Sequence, residues 1–267
     1  MFEAIVLGFI QGLAEWIPIS SEGFLVLAQI HFFGETSLVD AVELSLFLHL
    51  GTFFAAFAYF YKDIFRIMSH IFSYRKNDGA SQREARFYII ATIISGILGW
   101  VFFFIFSNAV EEFSGSIELG GRIVTGGVAI LLFITAGLGF MRKAQGIRNK
   151  DSLSFADGII LGIVQGFSVL PGLSRSGTTV AAFLLRGFED ASALRLSFIM
   201  SLPIVLAGNI FLQLNNFAIT IELIAGLSTA FVVGLGTIHI LLRIAQKVRF
   251  AWFVLFFACV TVVSLFF

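Results

Sequence analysis

The chain has 267 residues, 58% of them apolar and 13% charged, with a mean hydropathy of +0.97 and 34 phenylalanines. A soluble domain averages about half apolar and a quarter charged, and none of this size could bury so much apolar side chain, so the surroundings must be lipid. A soluble enzyme, a disordered chain and a secreted disulfide scaffold are excluded, and zero net charge (17 Lys plus Arg against 17 Asp plus Glu) implies no nucleic-acid partner.

In chain order, residues 2–30 are apolar on average but interrupted by Gln11, Glu15, Pro18, Ser20, Ser21 and Glu22. Glu3 and no basic residue precede the first apolar run, unlike a cleaved secretory signal, so the chain is read as mature. Plain spans of roughly 20 residues are expected at 43–61, 87–107 and 123–140. A second interrupted stretch, 155–185, carries Gln165, Pro171, Ser174, Arg175 and Ser176, and further plain spans follow at 196–212, 223–242 and 250–267. The single cysteine, Cys259, lies in the last of these; it excludes an internal disulfide and reads as a lipid-facing filler.

Lys and Arg in short loops favour the cytoplasmic side. Residues 62–86 hold six of them, 142–150 four, 186–195 two and 243–249 three, fifteen of the seventeen. The connections 31–42, 108–122 and 213–222 carry Glu35, Asp40, Glu111, Glu112, Glu118 and Glu222 with only Arg122 basic, and belong outside. Since both flanks of 155–185 are basic, that stretch enters and leaves on one face, as a re-entrant hairpin or two very short spans. If 2–30 is also a hairpin the N-terminus lies outside; a single span with the N-terminus inside is the alternative.

An internal repeat favours the hairpin. At an offset of 154, LGFIQGLAEWIPISSEG from Leu7 pairs with LGIVQGFSVLPGLSRSG from Leu161, aligning Gly8 with Gly162, Gln11 with Gln165, Gly12 with Gly166, Ser20 with Ser174 and Gly23 with Gly177. Three plain spans follow each stretch, and the halves point in opposite directions by charge, an inverted-topology repeat of the kind whose broken helices meet near the membrane midplane. The expected fold is all-α: one polytopic membrane domain, 1–267, of six transmembrane helices plus two re-entrant helical hairpins, with repeat one at 1–141 and repeat two at 155–267. A generic small-residue packing face explains the glycines, but not the matching serines after a proline.

Ionisable groups at membrane depth are costly and mark functional pathways, and backbone there leaves the helical form only where protein or a water-filled cavity surrounds it. Glu15 and Arg175 meet both conditions. Gln11 and Glu15, spaced i, i+4, share one helix face. The run from Pro171 to Thr179 sets Arg175 among Ser174, Ser176, Thr178 and Thr179 where a new helix would begin, a good anion pocket. The structural alternatives are a buried Glu15–Arg175 pair that only locks the hairpins together, which is weak evidence for stability, and hydroxyls bonded back to helix carbonyls.

QGLAEWIPISSEG together with PGLSRSGTT resembles the undecaprenyl-diphosphatase family of integral membrane lipid phosphatases, also known for bacitracin resistance, and LFLHLGTFFAAFAYFYKDI from Leu46 looks like that family's second helix. The resemblance covers nearly the whole chain. It implies six spans plus two hairpins, and hydrolysis of the terminal phosphate of a long polyprenyl diphosphate to the monophosphate carrier used in cell-envelope synthesis, in a multi-pass plasma-membrane protein. Carried over, Gln11 and Glu15 match the acidic motif, Ser20 and Ser21 the paired serines, and Ser174, Arg175, Ser176 and Thr179 the second motif. The bacterial pattern continues Ser-Ser-x-Gly-His with a catalytic histidine; here Phe24 holds that place, as in archaeal-like members that carry Ser-Ser-Glu, and Glu22 is the candidate substitute. The His-containing signatures of type-2 phosphatidic-acid phosphatases do not occur.

The expected roles follow. Arg175, Ser174, Ser176 and Thr179 hold phosphates; Ser21 is the candidate nucleophile; Glu15 is its base or a divalent-metal ligand; Gln11, Ser20 and Glu22 contact substrate. Mg²⁺ or Ca²⁺ suits the oxygen ligands, and no Cys/His constellation supports zinc. His31, His49, His70 and His239 lie outside the motifs; only His49, mid-span beside Gly51, is weighed as a contact to the site. The rival is a polyprenyl-phosphate flippase without hydrolytic activity, since a broken-helix repeat equally suits a transporter.

Overall fold

The computed structural model describes residues 1–17, 20–34, 38–73, 79–112, 126, 129–130, 132–134, 136–137, 140, 146–169, 174–213, 220–247 and 250–263. Among them the named helices are α1 (Phe2–Ala14), α2 (Ser21–Phe33), α3 (Leu38–Tyr59), α4 (Tyr61–Phe72), α5 (Gly79–Glu112), α6 (Phe155–Phe167), α7 (Arg175–Leu185), α8 (Asp190–Gln213), α9 (Ile221–Lys247) and α10 (Phe250–Val263). No strand occurs among the described residues, only an isolated bridge between Arg148 and Phe188.

Four stretches are long and apolar enough to cross a membrane: Asp40–Tyr59, Gly79–Phe102, Asp190–Phe211 and Ile221–Gln246. They lie in α3, α5, α8 and α9 and match four of the expected spans. Half of the expected span 123–140 falls outside the described residues, and the last is represented by α10, of 14 residues. The burial pattern inverts that of a water-soluble protein. Phe2 (76%) and Trp100 (69%) face outward with many other large apolar side chains, while Gln11, Glu15, Thr52, Ser95, Asp157, Gln165 and Thr179 are buried. That is the arrangement of a polytopic membrane protein, in which lipid solvates the apolar exterior and polar groups turn inward. Cys259 is exposed, as a lipid-facing filler should be.

Both interrupted stretches break in two. α1 and α6 have 13 residues each, α2 also 13 and α7 has 11; at 1.5 Å per residue the longest arm reaches only about 20 Å. The second arms start alike. Ser20 caps α2 by accepting from the Gly23 amide (3.3 Å), and Ser174 caps α7 by accepting from the Gly177 amide (3.1 Å). The matched serines and glycines of the sequence repeat are therefore helix starts. Pro18 and Pro171 lie outside the described residues.

The first arms pack through their glycines. A Cβ on Gly8 would stand 2.2 Å from the Gly226 carbonyl oxygen, and one on Gly12 2.7 Å from Val233 Cβ, both on α9. A Cβ on Gly162 would meet Ile94 Cβ at 2.9 Å and one on Gly166 would meet Leu98 Cβ at 2.6 Å, both on α5. Such small-residue seams let backbones approach where lipid removes the hydrophobic drive between helices.

The segment 62–86, read as a loop, contains α4, whose apolar side chains Tyr61, Phe65 and Phe72 are exposed. Its polar face is tied down: Arg66 pairs with Glu84 (2.9 Å) and Asp63 (3.2 Å), and Asp63 also binds Arg195 of α8. At the start of α6, Asp157 forms a capping box with Ser154 and gathers Arg148 (2.6 Å) and Arg186. Several positive charges counted as inner-loop markers are thus held by buried acids.

Gly8→Ala should lower the thermal unfolding midpoint of the detergent-solubilised protein, corresponding to a loss of about 1–3 kcal/mol from overpacking. Gly208→Ala, where a Cβ meets nothing within 4 Å, should leave the midpoint unchanged or slightly raised.

Candidate active site

The first hairpin supplies the acid. Glu15 continues the helical course of α1, its amide donating to the Gln11 carbonyl (3.0 Å). The i, i+4 spacing lets Gln11 Nε2 donate to Glu15 Oε2 at 2.9 Å. The chain then turns and starts α2 with Ser21, whose Oγ donates to the same oxygen at 2.9 Å. Gln11, Glu15 and Ser21 are all buried.

The second hairpin supplies the cation. Arg175, first residue of α7, places Nη2 on Glu15 Oε1. Ser176 Oγ donates to the Ile17 carbonyl at 2.8 Å, a second tie between the two turns. Ser174 Oγ lies 3.3 Å from Ser176 Oγ while capping the helix. Thr179 is buried, its Oγ1 donating to the Arg175 carbonyl (2.7 Å) and lying 2.6 Å from Ser197 Oγ. Thr178 likewise bonds back to the Ser174 carbonyl at 3.0 Å. The hydroxyls after Arg175 thus fix the turn and its helix, and the guanidinium is the group that reaches across.

The third contribution comes from α3. His49 Nε2 is 3.2 Å from Glu15 Oε2 and 3.4 Å from Ser21 Oγ, and Nδ1 is 2.7 Å from the Ser45 carbonyl. A proton can therefore pass among carboxylate, hydroxyl and imidazole, with the ring oriented from behind. Thr52 Oγ1 donates to the His49 carbonyl (3.0 Å) and accepts from Gln11 Nε2 (3.3 Å). Phe24 is 38% exposed; the imidazole beside Ser21 and Glu15 is that of His49, and Glu22 stands half-buried in the first turn of α2. The sequence signal for α3 is a polar stripe at Ser45, His49 and Thr52, spaced i, i+4, i+7 on one face of an otherwise apolar helix. Of the other histidines, His239 accompanies Tyr59 (3.0 Å) and His70 accompanies Glu84 (3.3 Å), both away from the cluster; the side chain of His31 lies outside the described residues.

Two buried atoms at the centre have no hydrogen-bond partner: Gln11 Oε1, an acceptor, and Arg175 Nη1, a donor. Buried polar groups are usually satisfied; of the unpartnered buried side-chain atoms among the described residues, Gln165 Oε1 included, these two belong to side chains that bind Glu15, and they leave one acceptor and one donor free for a ligand. A free amide oxygen beside a carboxylate fits an oxygen-preferring divalent cation, and a free guanidinium N–H fits a phosphate oxygen. Among the described residues no group of three or more His, Cys, Asp or Glu could hold a metal, so a cation here would depend on substrate oxygens to complete its shell.

Residues 4–263 match the family of the bacitracin resistance protein BacA. The chain belongs to that family. It is similar to the undecaprenyl-diphosphatase of Methanococcoides burtonii, 38% identical over 99% of this chain and 98% of the relative. The corresponding protein of Haloarcula marismortui is 37% identical over 92% of this chain and 90% of its own. That of Methanothrix thermoacetophila is 33% identical over 97% and 94%.

Removing one partner of a buried ion pair costs about 3–5 kcal/mol because the other charge is left uncompensated. Arg175→Ala should therefore markedly lower the unfolding midpoint, and adding Glu15→Gln in the same chain should restore part of the loss; thermal unfolding of the single and double variants measures this.

Proposed function

We propose that the protein is a membrane-embedded phosphatase that hydrolyses undecaprenyl diphosphate to the monophosphate carrier and inorganic phosphate. The observation that carries the reading is the convergence of Ser21, Glu15, His49 and Arg175 on one buried point: a hydroxyl, a carboxylate and an imidazole within proton-transfer reach, facing a cation suited to phosphate. The relatives named undecaprenyl-diphosphatase, aligned over nearly the whole chain, support the same substrate. Nothing in the geometry favours the carrier alternative.

In this reading Ser21 Oγ attacks the terminal phosphorus and gives its proton to Glu15, with His49 Nε2 adjacent to relay it. The P–O anhydride bond breaks and the prenyl monophosphate leaves. Water then cleaves the phosphoserine, releasing phosphate and returning the proton to Ser21. Arg175, through its free Nη1, holds the terminal phosphate and offsets charge as the anhydride opens. Ser20 and Ser174 set the two turns by capping α2 and α7, Ser176 and Thr179 brace the second turn, and Glu22 stands half-buried in the first turn of α2. If a Mg²⁺ or Ca²⁺ ion takes part, Gln11 Oε1 and Glu15 would hold it. Such an ion would supply further charge neutralisation on the diphosphate.

The finer topology belongs to the same proposal: six spans, α1/α2 and α6/α7 as re-entrant hairpins, and an inverted repeat of 1–141 and 155–267 in the plasma membrane. Three facts support it. The hairpin arms are too short to cross about 30 Å of hydrocarbon, both second arms begin with a serine cap at matched positions, and both first arms dock by matched glycines.

Purified protein should release phosphate from farnesyl or longer prenyl diphosphates with Mg²⁺ or Ca²⁺ present; absence of turnover with either ion overturns the reading. Glu15→Gln should lower the rate at least about 100-fold while leaving lipid binding largely intact; equal loss of both would reduce Glu15 to a structural role. His49→Ala should cost about 10²–10⁴-fold in kcat, and Phe24→Ala should stay within about threefold, both read in the same assay.

A further inference from the structure

A second polar concavity lies well away from the hairpin tips. A pocket of about 350 Å³ opens between the end of α3, the start of α8 and the last turns of α9, lined by Tyr59, Ser192, Arg195, His239, Arg243 and Gln246 among others. It is one end of the bundle: Tyr59 is ten residues along α3 from His49, about 15 Å away at 1.5 Å per residue. The pocket has its own residues and shares none with the Glu15–Arg175 cluster.

Its chemistry is that of an anion site. The lining includes two guanidinium groups and no carboxylate. Three acids stand beside the lining: Asp63, shared between Arg195 and Arg66 (3.2 Å), Glu189, which accepts from Ser192 Oγ at 3.2 Å, and Asp190 in the first turn of α8. Arg66 also has Glu84 (2.9 Å), so Asp63 serves Arg195 through one guanidinium nitrogen, and Arg195, 53% exposed in its side chain, keeps further N–H donors free. Arg243 has no ion-pair or hydrogen-bond partner among the described residues. Tyr59 and His239 brace each other at 3.0 Å through Nδ1, leaving the second ring nitrogen of His239 without a partner among the described residues. The backbone amides that open α8 add their orphan donors beside Ser192. On α9 the neighbours of His239 and Arg243 are Ile240 and Ile244, both exposed on the lipid-facing surface, so a group bound here can keep an attached chain in the bilayer. Ser192, Arg195, Arg243 and Gln246 fall in the basic segments 186–195 and 243–249, where inter-helix basic pockets suit anionic headgroups.

We propose that the pocket formed by Arg195, Arg243, His239, Ser192 and Tyr59 is a second binding site for a phosphate monoester or inorganic phosphate, separate from the site of hydrolysis. The same chemistry admits two sources, a phosphate-bearing lipid headgroup and free phosphate.

The test uses the full-length protein in phosphatidylcholine nanodiscs, titrated calorimetrically with dihexanoyl phosphatidic acid and, separately, with inorganic phosphate. The wild-type protein should show two sites for at least one probe. Arg243→Glu should abolish one of them or weaken it at least about tenfold, while phosphate release from farnesyl diphosphate stays within about twofold of wild type. Arg243→Lys should retain the second site. Preference for the lipid probe assigns a headgroup, and equal or tighter binding of inorganic phosphate assigns the free ion; both agree with the proposal. A single site in the wild-type protein overturns it, as do two sites that persist unchanged in both Arg243→Glu and Arg243→Gln, the milder variant included in case the charge reversal fails to fold.

Discussion

Everything in this protein is arranged around one costly act, the burial of a carboxylate and a guanidinium in an apolar medium. An isolated ion in such surroundings loses several kcal/mol of solvation even after relaxation, so Glu15 and Arg175 can exist only together, and both turns must be built to deliver them to one point. The rest of the site is a set of further polar side chains gathered on the same acid. Gln11, Ser21 and His49 crowd onto Oε2 while Arg175 takes Oε1. Such over-coordination is what keeps a charge tolerable without water. Among the described residues it leaves Arg175 Nη1 and Gln11 Oε1 unsatisfied; a bound diphosphate can relieve the first by accepting its N–H, and a cation or a donor is needed for the second.

Much of this was legible in the sequence, for a physical reason. Charged and amide side chains are so scarce in the apolar stretches that each one stands out, and the i, i+4 step from Gln11 to Glu15 and the serine-to-glycine step that opens α2 and α7 are local rules of helix geometry. The four long helices were equally visible because their length is imposed by the thickness of the bilayer. α5 starts earlier than the apolar run alone suggests, because its polar residues 79–86 continue the helix and pair with α4.

What stayed hidden depends on contacts between elements distant in sequence. His49, the one histidine weighed for the site from its mid-span position, takes its place only when α3 is set beside the first turn; nothing local to LFLHLGT says which side chains will face it. The hydroxyls after Arg175 read as a phosphate cradle; that Thr179 also meets Ser197 on α8 and Ser176 the Ile17 carbonyl is something composition cannot reveal. The helix α4 was masked by its mixed composition, in which apolar and charged residues occupy separate faces and average along the chain to a loop-like polarity. The repeat also conceals a division of labour. At the offset of 154, Val169 stands opposite Glu15 and Arg175 stands opposite Ser21, so each half carries what the other lacks.

The glycine seams between α1 and α9 and between α6 and α5 have a consequence for how a lipid reaches the tips. With backbone atoms within contact distance and no side chain between them, these seams are closed walls to a branched hydrocarbon chain. A prenyl tail must therefore approach the buried carboxylate by a lateral route that avoids both, and the seams, by refusing it, restrict the directions from which the phosphate end can arrive.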